Sequence, residues 1–321
     1  RKKLSISSQA TRWQSTSDTE VILECIEKFG LEEALGLLVG MFAFACWDNK
    51  KKELVLARDR LGEKPLYFGT HGSLYFFASE LKALMSLPFF EPKIDEFALS
   101  EFFKYGYIPA PNSIFQNVQK LEPGCYVTIS NSPKFKRYWS AETTFLQAKE
   151  TQSKATESTL LTNLECALQE AVNLQLTADV PIGVFLSGGI DSSLITALMS
   201  RQEGSRVNSF SIGFEEQGYD EAPMARAIAE HLGTNHTELY INEQQCQDVM
   251  SVLPDIYDEP FADASQIPTF LLCKLSKNTV SVALSGDGGD EFFCGYNRYT
   301  WGSKIHSKAK KFPKPFRRLL A

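Results

Sequence analysis

Residues 181–193, PIGVFLSGGIDSS, decide the fold of the second half of the chain, because a short apolar run leads through two glycines into a helical pattern. Further strand-like and helical patterns then alternate: VNSFSIGF, EAPMARAIAEHLG, HTELYI, EQQCQDVMSVL, IPTFLLCKL and TVSVAL. This alternation is typical of a parallel sheet with helices on its faces. We therefore predict a doubly wound α/β domain at residues 159–321.

The first 140 residues have a different hydrophobic rhythm. GMFAFACWD and ELVLARD flank the turn NKKK, and PLYFGT and SLYFFAS flank His71-Gly72, so two hairpins are predicted. Runs at 124–130 and 135–138 add another strand pair. Residues 1–140 should therefore form a domain of antiparallel sheets with a few helices. The polar stretch 141–158 lacks sustained periodicity and is predicted to be a linker.

Composition excludes several classes of protein. The net charge of -6 arises from 33 basic and 39 acidic residues, which provide no basic field for a nucleic-acid partner. No apolar run approaches the ~18 residues needed to cross a membrane, and the start RKKLSISS lacks the apolar core of a signal peptide. The seven scattered cysteines contain no C-x-x-C pair and fit a reducing compartment. We expect a cytoplasmic protein with no membrane segment.

The turn SGGIDSS at residues 187–193 has the features of a phosphate site. Ligands of open α/β sheets bind beyond the carboxyl ends of the strands. Gly188 and Gly189 let backbone N–H groups approach phosphate oxygens, and a helix beginning near Asp191 directs its positive end to the same place. The Asp191 carboxylate would repel a bare phosphate, which favours a shared Mg²⁺. The alternative is a structural turn with a serine and aspartate helix cap.

A second glycine-rich turn, SGDGGDE at residues 285–291, follows the run TVSVAL. It brings Asp287, Asp290 and Glu291 within five residues. In a dry site these carboxylates would need a cation or raised pKa values, and a metal is therefore favoured. The alternative is an exposed acidic turn, and the spacing of a calcium loop is absent.

Together the two turns resemble those of asparagine synthetases and their close relatives. SGGIDSS is similar to the loop of ATP pyrophosphatases, enzymes that cleave ATP between the α- and β-phosphates. The resemblance extends over nearly the whole chain through these further stretches: STSDTEVIL, GMFAFACWD, ARDRLGEKPLYF, FASELKAL, YGYIPAPNSIF, KLEPGCY, SFSIGF, ARAIAEHLG, DEPFADAS and LSGDGGDEFFCGYNRY. It implies an ATP pyrophosphatase fold, similar to adenine nucleotide α-hydrolases, for the second half. For the first half it implies a partial αββα glutaminase of the Ntn type, as in class II amidotransferases.

The resemblance also implies roles for individual residues. The expected ligands of the ATP phosphates are Leu186, Ser187, Gly188, Gly189, Asp191, Ser192 and Ser193. Ile212 is expected to line the adenine pocket, and Ser285 and Gly286 should approach the nucleotide from the second turn. Asp191 and Asp290 are the expected Mg²⁺ ligands. Asp287 is the catalytic candidate, an acid near the reacting nitrogen, and Asp18 is expected to bind the amino group of glutamine.

The implied reaction converts aspartate, ATP and glutamine (or ammonia) into asparagine, AMP and pyrophosphate through a β-aspartyl-adenylate, with glutamate as a further product when glutamine is the donor. Two alternatives remain open: the same adenylation of another carboxylate, such as a sugar acid, or a non-catalytic nucleotide-binding fragment. The expected partners are these small-molecule substrates, and a homodimer is left open. The family's N-terminal cysteine nucleophile and C-terminal catalytic lysine are not found in this sequence. We therefore expect a chain truncated at both ends that has no glutaminase activity by itself.

Two conspicuous features are predicted to be structural. The charged stretch ARDRLGEKPLY should form a turn held by Arg58, Asp59 and Arg60. The four histidines, at positions 71, 231, 236 and 306, lack the spacing of metal ligands.

Overall fold

The computed structural model describes residues 13–150, 155–202, 206–214 and 220–310. It divides into two compact units. The first comprises Arg1–Lys154 and Val252–Asp263, and the second comprises Ala155–Ser251 and Ala264–Ala321. Residues 252–263 thus belong to the first unit, although their position in the sequence lies within the predicted 159–321 domain.

The described residues form the following elements. The helices are Asp18–Phe29 (α1), Leu31–Leu37 (α2), Leu81–Met85 (α3), Glu96–Tyr105 (α4), Ala141–Glu150 (α5), Glu157–Gln175 (α6), Ile190–Ser200 (α7), Ala222–Leu232 (α8), Glu243–Met250 (α9), Leu253–Ile256 (α10), Gln266–Ser276 (α11), Gly289–Phe293 (α12) and Asn297–Ala309 (α13). The strands are Ala43–Asp48 (β1), Glu53–Arg58 (β2), Tyr67–His71 (β3), Leu74–Ala78 (β4), Val118–Lys120 (β5), Cys125–Ile129 (β6), Pro133–Arg137 (β7), Ile182–Phe185 (β8), Asn208–Phe214 (β9), Asn235–Ile241 (β10) and Val282–Leu284 (β11).

The first unit contains two antiparallel sheets, of strand order β1-β2-β6-β7 and β4-β3-β5. The three predicted strand pairs are confirmed as β1-β2, β3-β4 and β6-β7. Asp48 stabilises the first hairpin turn because its Oδ1 accepts the N–H groups of Lys50 and Lys51, both at 2.9 Å. Leu56 and Val127 are fully buried at neighbouring positions of β2 and β6 and form the centre of this core.

The turn after β2 is structural, as predicted. Asp59 is 1% exposed, and its carboxylate accepts backbone N–H groups of Leu61, Glu63 and Lys64 at 3.0–3.2 Å. A fourth N–H group, from Phe42, lies 3.3 Å away. The Arg58 guanidinium donates to three backbone carbonyls, those of Lys64, Leu121 and Gly62. The charges of this stretch therefore hold the backbone of the loop around the buried Asp59 carboxylate.

The second unit is built on a parallel sheet of order β10-β9-β8-β11. All three strand pairs are parallel, which confirms the predicted doubly wound sheet. Val184 of β8 is fully buried among Val172 of α6, Leu198 and Met199 of α7, and Leu284 of β11. This core places the carboxyl ends of β8 and β11 side by side.

The predicted linker contains a helix, α5, none of whose side chains is buried. The boundary between the two units, after Lys154, falls within this predicted linker. No helix of the described part of the chain is long and apolar enough to cross a membrane.

Candidate functional site

The first glycine-rich turn connects β8 to α7. Its shape depends on Ser192, which is 6% exposed and whose Oγ lies 2.9 Å from the Oγ of Ser187. The same Oγ accepts the backbone N–H of Ser187 at 3.2 Å. Ser193 donates to the carbonyl of Gly189 at 2.6 Å. The hydroxyls of all three serines are thus engaged within the turn, and Ser187, whose Oγ also accepts the N–H of Gly189 at 3.3 Å, is the exposed one.

Gly189 is the N-cap of α7 and supplies no capping side chain. No side chain therefore occupies the N–H groups at the start of this helix, which can receive an anion. The serine and aspartate cap that was the structural alternative is not formed at this helix.

Gly188 requires glycine for two reasons. Its φ is 82°, in the left-handed region that side chains disfavour. In addition, a Cβ at this position would lie 2.9 Å from Cβ of Met224 and 3.0 Å from the backbone nitrogen of Ala225. The turn therefore packs directly on the first turn of α8, which fixes its height above the sheet.

The second glycine-rich turn lies against the first. A Cβ on Gly286 would fall 2.7 Å from the backbone nitrogen of Ser192 and 3.0 Å from Cβ of Asp191. A Cβ on Gly289 would fall 2.5 Å from Cγ of Asp191 and 2.6 Å from its Oδ2. The Asp191 carboxylate is therefore seated on the backbone of the second turn, at the ends of two adjacent parallel strands.

Two family models match the chain. The one described as asparagine synthase matches residues 163–321, and the one described as a glutamine amidotransferase domain matches residues 1–139. Asparagine synthetase [glutamine-hydrolyzing] 1 of Bacillus subtilis is 38% identical over 292 residues, which cover 89% of this chain and 44% of that protein. Asparagine synthetase 3 of the same organism is 33% identical over 301 residues, and asparagine synthetase B of Escherichia coli is 31% identical over 304 residues. Each of these two matches covers 89% of this chain and 48% of the relative.

The chain belongs to the asparagine synthetase family. It spans about half the length of the curated relatives that it matches. The glutamine amidotransferase model falls on the antiparallel half and the asparagine synthase model on the parallel half. The predicted combination of a glutaminase-type half and an ATP-using half is thereby confirmed at the level of the family.

The acidic groups of the second turn differ in their surroundings. Asp287 and Glu291 are exposed, so the argument that crowded carboxylates in a dry site need a metal does not apply to them. The Asp287 carboxylate accepts the hydroxyl of Ser285 at 2.9 Å, and Glu291 accepts that of Tyr296 at 3.0 Å. Asp290 is half-buried, with its Oδ1 in contact with the backbone of Gly295.

Within the described residues, no group of three His, Cys, Asp or Glu side chains is arranged to hold a metal ion alone. Magnesium bound with a nucleotide takes one or two protein carboxylates and completes its shell with phosphate oxygens and water. The Asp191 carboxylate lies against Gly289, the residue that precedes Asp290. These two aspartates could supply the one or two carboxylates that such a magnesium ion takes.

Three further residues that were expected to bind ATP or glutamine lie in different parts of the structure. Leu186 is 1% exposed and packs with Ala225 and Ala229 of α8, so its side chain belongs to the core. Ile212 is half-buried on β9, two residues beyond Phe210, whose carbonyl accepts the N–H of Leu186. Asp18 is the exposed first residue of α1 in the first unit, next to the N-cap Ser17.

Asp220 was missed by the sequence reasoning. Its Oδ1 accepts the N–H of Ala222 at 3.1 Å and lies 2.9 Å from where a Cβ of Gly213 would be. Asp220 thus connects the start of α8 to the strand that carries Ile212. The signal was present in the sequence as an acidic residue ahead of an Ala-Pro helix start.

Proposed function

We propose that the protein to which this chain belongs makes asparagine from aspartate, ATP and a nitrogen donor, either glutamine or ammonia. The aspartate side chain would attack the α-phosphate of ATP and release pyrophosphate. Ammonia would then displace AMP from the β-aspartyl-adenylate. The observation that carries this proposal is the direct contact of the two turns, since Asp191 lies on the backbone of Gly286 and Gly289.

The first turn would hold the phosphates. Its exposed backbone and the start of α7, which no side chain caps, would offer N–H donors where negative charge must be stabilised. Ser192, Ser193 and the Leu186 side chain would support this turn and leave its surface to the nucleotide. We therefore propose that Leu186, Ser192 and Ser193 bind ATP through their backbone groups.

The second turn would complete the site. Ser285 and Gly286 would approach the nucleotide, and Asp287, exposed at the tip, would lie near the attacking nitrogen. We assign Asp191 and Asp290 as ligands of a Mg²⁺ ion shared with the phosphates, which when bound would neutralise part of their charge. Ile212 would line the adenine pocket at the end of β9.

In the first unit we assign Asp18 to the amino group of glutamine, because a carboxylate at the exposed start of a helix is available to a cation. All seven cysteines are free thiols, which fits our proposal of a cytoplasmic protein.

The proposal is tested by measuring pyrophosphate release from ATP with the complete protein. Ammonia serves as nitrogen donor, and aspartate, glutamate and a hexuronic acid are supplied in turn. We expect release with aspartate that requires magnesium and yields asparagine. Release with the sugar acid alone would move the activity to another acceptor, and ATP binding without release would identify a non-catalytic nucleotide-binding protein.

A further inference from the structure

The chain leaves the second unit after Ser251, contributes Val252–Asp263 to the first unit, and returns to the second unit at Ala264. We call residues 252–263 the inserted segment. It lies between α9 and α11 in the sequence, both of which belong to the second unit. Its polar contacts within the first unit are specific, and the reaction proposed above uses none of them.

Glu259 is the principal anchor of the inserted segment. Its side chain is 10% exposed and forms an ion pair with Lys120, which is 14% exposed. Its Oε1 accepts the backbone N–H of Ile114 at 2.8 Å, and its Oε2 lies 3.5 Å from the hydroxyl of Tyr67. Burial and this carboxylate raise the pKa of Tyr67, so the phenol remains protonated. The carboxylate is therefore surrounded by donors from three different parts of the first unit.

Asp258 provides a second anchor. Its Oδ2 accepts the N–H of Leu81 at 2.6 Å, at the start of the five-residue helix α3. A little further on, the N–H of Ala262 donates to the carbonyl of Gly106 at 2.7 Å. Five positions of the inserted segment, 258 to 262, are thus fixed at both ends.

In a buried ion pair of this kind, each charged group depends on the other. Removing one charge leaves the other desolvated and without compensation, whereas an exposed pair contributes little. Lys120 also donates to the carbonyl of Ile108 at 2.6 Å. The lysine is thereby held in place to receive Glu259, and the segment has one defined position in the first unit.

The two ends of the inserted segment lead to two helices of the second unit, α9 and α11. Helix α11 packs against α9 and against β9. Strand β9 carries Ile212 at its carboxyl end. Through its backbone, the inserted segment therefore joins the first unit to the helices that precede and follow it.

We propose that Glu259, paired with Lys120, is a positioning residue that ties the nitrogen-supplying reaction of the first unit to the amide-forming reaction of the second. The inference depends on the proposed function, because it concerns the transfer of nitrogen from glutamine to the acyl-adenylate. Loss of the anchor frees the inserted segment. Glutamine hydrolysis then proceeds without matching amide formation, while ammonia supplied from solution is still used.

The test uses the complete protein with Glu259→Gln, which removes the charge and keeps the shape. The matched control is Glu91→Gln, which breaks an exposed ion pair with Lys93 in the same unit. Glutamate and pyrophosphate are measured with glutamine as donor, and pyrophosphate alone with ammonia. Hydrogen exchange of peptides that cover residues 252–263 gives a readout independent of activity.

For Glu259→Gln we expect the ratio of glutamate to pyrophosphate to rise about three- to tenfold, the size of effect typical of coupling between sites. Ammonia-dependent release should stay within about twofold of wild type, and exchange in the inserted segment should accelerate. The Glu91→Gln protein should match wild type in all three. An unchanged ratio, or equal losses with both nitrogen donors, would overturn the proposal.

If Glu259→Gln fails to fold, Tyr67→Phe removes only a hydroxyl and must change the ratio in the same direction. Failure of the proposed function gives a different result, because wild type would then release no pyrophosphate with aspartate and ammonia. In that case faster exchange in Glu259→Gln would still establish the anchor, and the coupling role would be overturned.

Discussion

Replacing Gly286 by alanine tests whether the two turns must touch. Gly286 has no positive φ, so alanine suits its backbone, and only the space around the new methyl group changes. The methyl would lie 2.7 Å from the backbone nitrogen of Ser192, whereas ordinary contact begins at 3.4 Å. Because the obstacle is backbone, no side-chain rotation can relieve it.

The difference between these two distances is 0.7 Å, and the turns must separate by about that amount. Overpacking of this kind costs about 1–3 kcal/mol of unfolding free energy. A displacement of about 1 Å in a positioned group can reduce a rate about 10²-fold. We therefore expect kcat/KM for aspartate-dependent pyrophosphate release to fall between about 10-fold and 10²-fold in Gly286→Ala.

The assay is steady-state pyrophosphate release with ammonia, combined with urea unfolding. Gly302→Ala is the matched control, since Gly302 lies in α13 of the same unit with no atom within 4 Å of a Cβ. The control should keep wild-type activity and gain about 0.5–1 kcal/mol from the removal of a helical glycine. Wild-type kcat/KM in Gly286→Ala would refute the claim that the contact of the turns organises the site.

Three further predictions concern single groups. Asp191→Asn should keep the fold and reduce pyrophosphate release at least about 10²-fold, measured at saturating magnesium, because a developing charge loses its counter-ion site; a loss below about tenfold would contradict the assignment. Asp59→Ala should cost about 3 kcal/mol in urea unfolding, since it leaves several part-buried N–H groups without their acceptor. Burial holds the pKa of His236 below its ordinary 6.5, with Ser209 Oγ at 2.8 Å from Nδ1. The unfolded chain thus takes up the proton first, so stability should fall as pH drops through about 6.5, and His236→Gln should flatten that dependence.

The fold class could be predicted because local patterns and core packing agree in both halves. The run PIGVFL and the helix after it lie where periodicity placed them, as β8 and α7. The hairpin at residues 43–58 follows from alternation and from a turn with an aspartate at its start. Such patterns involve residues that are close together in the sequence, so they can be recognised from one sequence alone.

Contacts between distant residues could not be predicted in the same way. Nothing near Glu259 indicates that its partner is Lys120, or that residues 252–263 join the first unit. The glycine-rich turns could be recognised in the sequence. The sequence does not indicate, however, that Ser192 is buried within its turn or that Leu186 belongs to the core. The conformation of a turn depends on its tertiary packing, and Gly188 packs against the start of α8.

We propose that the paired turns hold ATP while an acid attacks its α-phosphate. Aspartate labelled with ¹⁸O in the side-chain carboxylate tests it directly when the complete protein is given ATP, magnesium and ammonia. We expect one labelled oxygen in the phosphate of AMP, with unlabelled pyrophosphate. Label in inorganic phosphate, with ADP as the nucleotide product, would contradict it.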